Sequence, residues 1–152
     1  EGELKEKVIA ASLIDSRIIY GGLLLDGDMI EALASASLLI NPRPPDQEYA
    51  QTSFPSKLME YLAVGAPVLS TRIVSIPPEI EDCFFYIDDA TAVGIAGSIS
   101  RVYQLPAEER EKIAGRAQQK VQKFYSEAII GRKIAPFIGE KIEMGDDKFN
   151  RS

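Results

Sequence analysis

Residues 37–71 read SLLINPRPPDQEYAQTSFPSKLMEYLAVGAPVLST. The first five form an unbroken apolar run stopped by prolines, the pattern of a strand buried on both faces of a parallel sheet. A polar loop over 42–52 follows. Residues 55–64 predict a helix that ends at Gly65, and 67–71 a second buried strand. Strand, crossover helix and strand in that order make a parallel α/β unit.

The same alternation extends outward in both directions. Upstream, residues 3–14 place Leu4, Val8, Ala11 and Ser12 on one face of an amphipathic helix. Residues 17–20 are a β-branched and aromatic run ending at Gly21-Gly22, and 26–34 predict a short helix with acidic residues in its first turn. Downstream, a Pro77-Pro78 turn leads to a fourth strand over 83–87. From Thr91 the pattern is helical only, with Pro106 in a first turn and Ile113, Ala117, Val121 and Phe124 along one face. A last helix is expected from Ser126, kinked by Pro136, and a disordered tail over 145–152. The fold expected is a Rossmann-like, doubly wound parallel α/β sheet, one domain over 1–152, with its core in 1–103 and C-terminal helices in 104–144.

Composition narrows the function classes. The chain has 152 residues, long enough for one packed core, and 17 basic residues against 23 acidic ones, a net charge of -6. That charge opposes phosphate neutralisation, so neither nucleic acid nor an anionic membrane is an expected partner. No apolar run approaches the roughly 20 residues of a membrane span, and the charged first ten residues do not resemble a signal peptide. The expected compartment is the cytoplasm. Cys83, without a second cysteine or any histidine, reads as an ordinary buried thiol.

The start of the 55–64 helix carries the candidate chemistry. First-turn amides have no intrahelical acceptor and sit at the positive end of the helix dipole, together worth about 0.3–2 kcal/mol toward an anion. Ser56, Lys57 and Leu58 offer those amides, Ser53 or Ser56 a hydroxyl, and Lys57 a point charge, while Pro55 fixes the entry angle. Glu60, one turn on, is placed to accept hydrogen bonds from two vicinal hydroxyls. The set suits a nucleoside diphosphate. The alternative is a serine cap with an exposed Lys57–Glu60 ion pair.

The segment SFPSKLMEYLAVGAPVLST closely resembles the donor-site segment of family 4 glycosyltransferases, of the kind found in bacterial cell-surface polysaccharide synthesis. The likeness extends to DSRIIYGGLL, SLLINPRP and IPPEI, and covers roughly residues 2–103. It implies the C-terminal, donor-binding half of a GT-B enzyme, with the donor diphosphate on the amides of Ser56, Lys57 and Leu58 and the ribose on Glu60. The nucleobase would lie against Ile19, Tyr20 and Gly21, Tyr20 being alternatively a core residue. Arg43, Thr52, Ser53, Phe54 and Pro55 would meet the donor sugar or a phosphate.

One position departs from the family pattern. The acidic residue usual eight positions before Glu60 is here Thr52; Asp46 and Glu48, in the same loop, either substitute for it or are simply solvated. Arg43 either meets a phosphate or pairs with Asp46.

The resemblance implies a retaining transfer from a nucleoside-diphosphate sugar to a saccharide or lipid-linked acceptor, with no metal or other cofactor, in an enzyme that is cytoplasmic or peripheral at the inner membrane face. Glu1-Gly2-Glu3-Leu4 resembles the tail of a glycine turn, so a preceding strand and an acceptor-binding N-terminal domain are expected outside this chain. Because such enzymes react their substrates between two domains, the isolated chain is expected to be inactive. Two other classes compete: a non-catalytic α/β interaction module docking through 106–144, and a sugar-nucleotide epimerase, for which histidine and further acidic residues would be needed.

Overall fold

The structure, a computed structural model, describes residues 2–43 and 56–125. Two compact units divide the chain, Glu1–Ala32 and Leu33–Ser152.

The first unit opens with α1, Gly2–Ile14. Glu3 and Lys7, one turn apart, pair at 2.7 Å on its surface. Val8, Ala11 and Ser12 are half-buried as their spacing predicts, but Leu4, expected on that face, is exposed. The helix ends in a side-chain lock. The Asp15 carboxylate accepts from the Arg17 amide at 3.0 Å and from its guanidinium at 2.6 Å. Those bonds hold the Asp15 carboxyl below the usual carboxylate range, the side-chain bond first.

The strand expected over 17–20 does not form: residue 17 lies in a turn, and 18–20 have no regular secondary structure and no place in the sheet. A β-strand is stabilised by a neighbour that takes up its backbone groups, and apolar, β-branched character alone does not supply one. Ile19 is 86% exposed. Gly22, at φ 65°, then turns the chain in a conformation that favours glycine. After it, α2 spans Asp26–Ala34 as expected.

The second unit holds a three-stranded parallel sheet in the order β1 (Leu39–Asn41), β2 (Val68–Thr71), β3 (Phe85–Ile87). Its register pairs Leu39 with Val68, Asn41 with Ser70, and Leu69 with Phe85. Among the described residues the sheet therefore has three strands where four were expected. Helix α3, Ser56–Ala63, lies between β1 and β2 in the chain, and a 3-10 turn, Pro78–Cys83, leads into β3. Every residue of β2 is buried, as a strand covered on both faces must be.

Alternation along the strands sorts the core into two layers. Leu39 and Val68 join Leu58 and Leu62 of α3, Ile80 and Cys83 of the 3-10 turn, and Ala117. Leu69 and Ile87 join Val102 on the opposite face. Val102 belongs to α4, Ala92–Gln104, and Ala117 to α5, Ala107–Tyr125. Thr91 caps α4 by accepting from the Gly94 amide at 3.2 Å, a bond of a kind worth about 1 kcal/mol. Pro106 precedes α5, its carbonyl accepting from the Glu109 amide at 3.1 Å.

Cys83 is 1% exposed, the buried thiol its solitary occurrence suggested, and burial pushes its pKa up to about 11. The helix expected from Ser126, the Pro136 kink and the tail over 145–152 lie outside the described residues, as do residues 44–55, which include most of the loop expected over 42–52.

Candidate functional site at the start of α3

Helix α3 is rotated by its own apolar residues. Leu58 and Leu62, four apart, are both fully buried, and Met59 and Tyr61 flank them half-buried against the same cluster, so the opposite surface of the helix faces outward. Ser56, Lys57 and Glu60 are exposed. Leu58 thus divides its parts: its side chain is core, and only its backbone amide is available to a ligand.

The far end of α3 is fixed as firmly. Gly65 takes φ 76° and its amide bonds the Leu62 carbonyl at 3.3 Å. Gln118 of α5 reaches across to donate to the Ala63 carbonyl at 2.9 Å. The Leu62 and Ala63 carbonyls are satisfied by these contacts.

Parallel strands joined by a helix require that helix to run antiparallel to them. The first turn of α3 therefore stands at the carboxyl ends of β1 and β2, the rim where parallel α/β sheets bind ligands. Its first-turn amides, from Ser56 to Leu58, belong to the N-terminal set that has no intrahelical acceptor.

Among the described residues, neither Lys57 nor Glu60 enters an ion pair, although the two are only three positions apart. The simple surface pair offered as the alternative is not made. Arg43 follows β1, half-buried, with its amide bonded to the Asn41 carbonyl at 3.0 Å. Thr52, Ser53, Phe54, Pro55, Asp46 and Glu48 lie outside the described residues. Ile19, Tyr20 and Gly21 belong to the first unit, in the unpaired segment, where Tyr20 is 41% exposed.

One feature of this rim was not singled out in the sequence. The Asn41 side-chain amide donates to the Ser70 hydroxyl at 3.1 Å, across the strand register, and Ser70 is fully buried. The signal was present as a lone amide closing the apolar run 37–41. Its partner, 29 residues on, is disclosed only by the pairing of the strands.

Other concavities lie elsewhere in the second unit. One of about 510 Å³ is lined by Pro106, Glu108, Glu109, Lys112, Ile113 and Arg116 of the α5 region. Four of its six lining residues are charged. Among the described residues, no group of three acidic, cysteine or histidine side chains is placed to hold a metal ion, and no helix is long and apolar enough to cross a membrane.

The chain is 27% identical over 108 residues to the putative colanic acid biosynthesis glycosyltransferase WcaL of Escherichia coli (strain K12), a match covering 70% of this chain and 27% of that protein. The chain thus spans about a quarter of that relative's length. No solved structure matches it. The family model described as glycosyl transferase-like matches residues 5–130, taking in most of α1, the whole sheet and α5. On that match, over an α/β parallel sheet of the expected kind, the chain belongs to the glycosyl transferase-like family.

Proposed function

We propose that this chain is the donor-binding part of a glycosyltransferase of the family 4, GT-B kind, its C-terminal half, acting on a nucleoside-diphosphate sugar. The observation that carries the reading is the first turn of α3, which stands at the carboxyl rim of the sheet with Lys57 and Glu60 both exposed and in no ion pair among the described residues. The amides of Ser56, Lys57 and Leu58 with the Lys57 ammonium hold the diphosphate, and Glu60 accepts from the ribose hydroxyls.

When the bond from the sugar to the diphosphate breaks, negative charge grows on the departing phosphate. Fixed amide dipoles and a cation aimed there lower the barrier without having to reorganise, which lets the site work without a metal. Transfer with retention, to a saccharide or lipid-linked acceptor held by a separate N-terminal domain, completes the reading. The relative named for colanic acid biosynthesis supports a saccharide product. The expected place of work is the cytoplasm or the inner face of its membrane.

Uridine and guanosine diphosphate, titrated into the chain and followed by amide hydrogen exchange, are expected to protect the backbone around Ser56 to Glu60, with or without a chelator. No protection at millimolar ligand overturns the reading. Glu60→Ala is expected to weaken nucleotide binding about tenfold or more, consistent with the loss of charge-assisted bonds, while leaving the unfolding midpoint nearly unchanged because the residue is exposed. The chain alone is expected to bind donor and transfer nothing.

A further inference from the structure

The Asn41–Ser70 pair is a polar insertion in an apolar layer. Leu39 and Val68, two residues before Asn41 and Ser70, pack in one cluster with Leu58 from the first turn of α3. Residues two apart on a strand point to the same face. Asn41 and Ser70 therefore continue that face to its carboxyl end, beside the start of α3. Ser70 is fully buried, and its hydroxyl lies 3.1 Å from the Thr71 carbonyl as well as from the Asn41 amide nitrogen.

Stability does not call for this pair. Two apolar side chains of similar shape would fill the space at little or no cost, whereas a buried hydroxyl must be bonded to avoid a penalty. What the pair does is orient a carboxamide. An amide group carries two N–H donors, and one is used on Ser70. The other is not engaged by Ser70, and at the last residue of β1 it is a neutral donor that no proton exchange can remove.

We propose that Asn41 is a binding residue of the donor diphosphate, giving its second side-chain N–H to a phosphate oxygen, and that Ser70 is the positioning residue that fixes the carboxamide for it. This rests on the donor-site reading of α3 and adds to it a contact from the strand beneath.

Two substitutions in the full chain test it, each titrated calorimetrically with uridine and guanosine diphosphate and, by NMR, with uridine and guanosine. Asn41→Asp keeps a partner for the Ser70 hydroxyl and sets a negative charge beside the phosphates. Its affinity for the diphosphate that the unsubstituted chain binds is expected to fall at least about tenfold, and for the matching nucleoside less than about twofold. Asn41→Leu, similar in shape and neutral, is expected to cost about threefold on the diphosphate alone. It separates a lost contact from long-range repulsion, and carries the test should the aspartate variant fail to fold. Retention of full diphosphate affinity by Asn41→Leu overturns the proposal, as does an equal loss for diphosphate and nucleoside. An unsubstituted chain that binds neither diphosphate overturns the donor-site reading and, with it, this one.

Discussion

Gly65 shows how much of α3 depends on single residues. Its φ of 76° is a conformation in which a side chain is strained, and a Cβ there would stand 3.2 Å from the Gln118 amide nitrogen, tighter than an ordinary contact. Gly65→Ala is therefore expected to cost about 1–2 kcal/mol from backbone strain alone, with a further loss if Gln118 must release the Ala63 carbonyl. Urea unfolding measures it, and a change below about 0.5 kcal/mol contradicts the account. The role of Gly65 as a helix stop is readable in the sequence, because glycine after an apolar helical segment is the usual terminator. The crowding by Gln118 is not readable, since it comes from a helix more than 50 residues away. Glu60 and Lys57 divide in the same way. Their spacing from the helix start is local, but their lack of any ion pair among the described residues depends on where their side chains lie in three dimensions.

The 3-10 turn is held by α5. Arg116 donates to the Asp82 carbonyl at 2.8 Å, and Lys120 meets the Asp82 carboxylate at 2.6 Å. The Lys120 bond, aided by the charge of Arg116, holds the Asp82 carboxyl below its ordinary value. A carboxyl with a lowered folded pKa stabilises the fold fully above its unfolded pKa, about 4, and loses that contribution as pH falls through the folded value. The Asp82 side chain is 53% exposed, so water screens the pair and its worth stays below about 1 kcal/mol. Asp82→Asn is expected to lower the urea midpoint slightly at pH 7, and the difference from the unsubstituted chain to close as pH falls through the lowered Asp82 value. A difference that persists in acid would assign the effect to packing instead. Also at this scale, Tyr86 of β3 donates to the Glu81 carbonyl at 2.7 Å, and burial pushes its pKa up to about 12. It remains a neutral donor throughout the range in which Asp82 titrates.

Across the whole molecule the two units differ in what they bury. The second has two apolar layers around a covered strand. The first leaves Leu13, Ile14, Ile19, Leu23 and Leu25 each more than three-quarters exposed, more apolar surface than so small a unit ordinarily presents to water. The chain is expected to bind anilinonaphthalene sulfonate in its native state, and the double substitution Ile19→Lys with Leu23→Lys to reduce the fluorescence by about half. Unchanged fluorescence would mean that these side chains are covered in solution. The parallel α/β class, the crossover helix before a buried strand and the candidate diphosphate site were legible by themselves, because apolar period, proline and glycine positions and helix-start chemistry are local properties of consecutive residues. The four-strand count was not, since whether residues 17–20 become a strand depends on a neighbour, which no run of β-branched residues specifies. The Asn41–Ser70 pair, the clamp of α5 on the 3-10 turn and the outward setting of Glu60 were decided by tertiary structure alone, for the same reason: each is a relation between residues that only register and packing bring together.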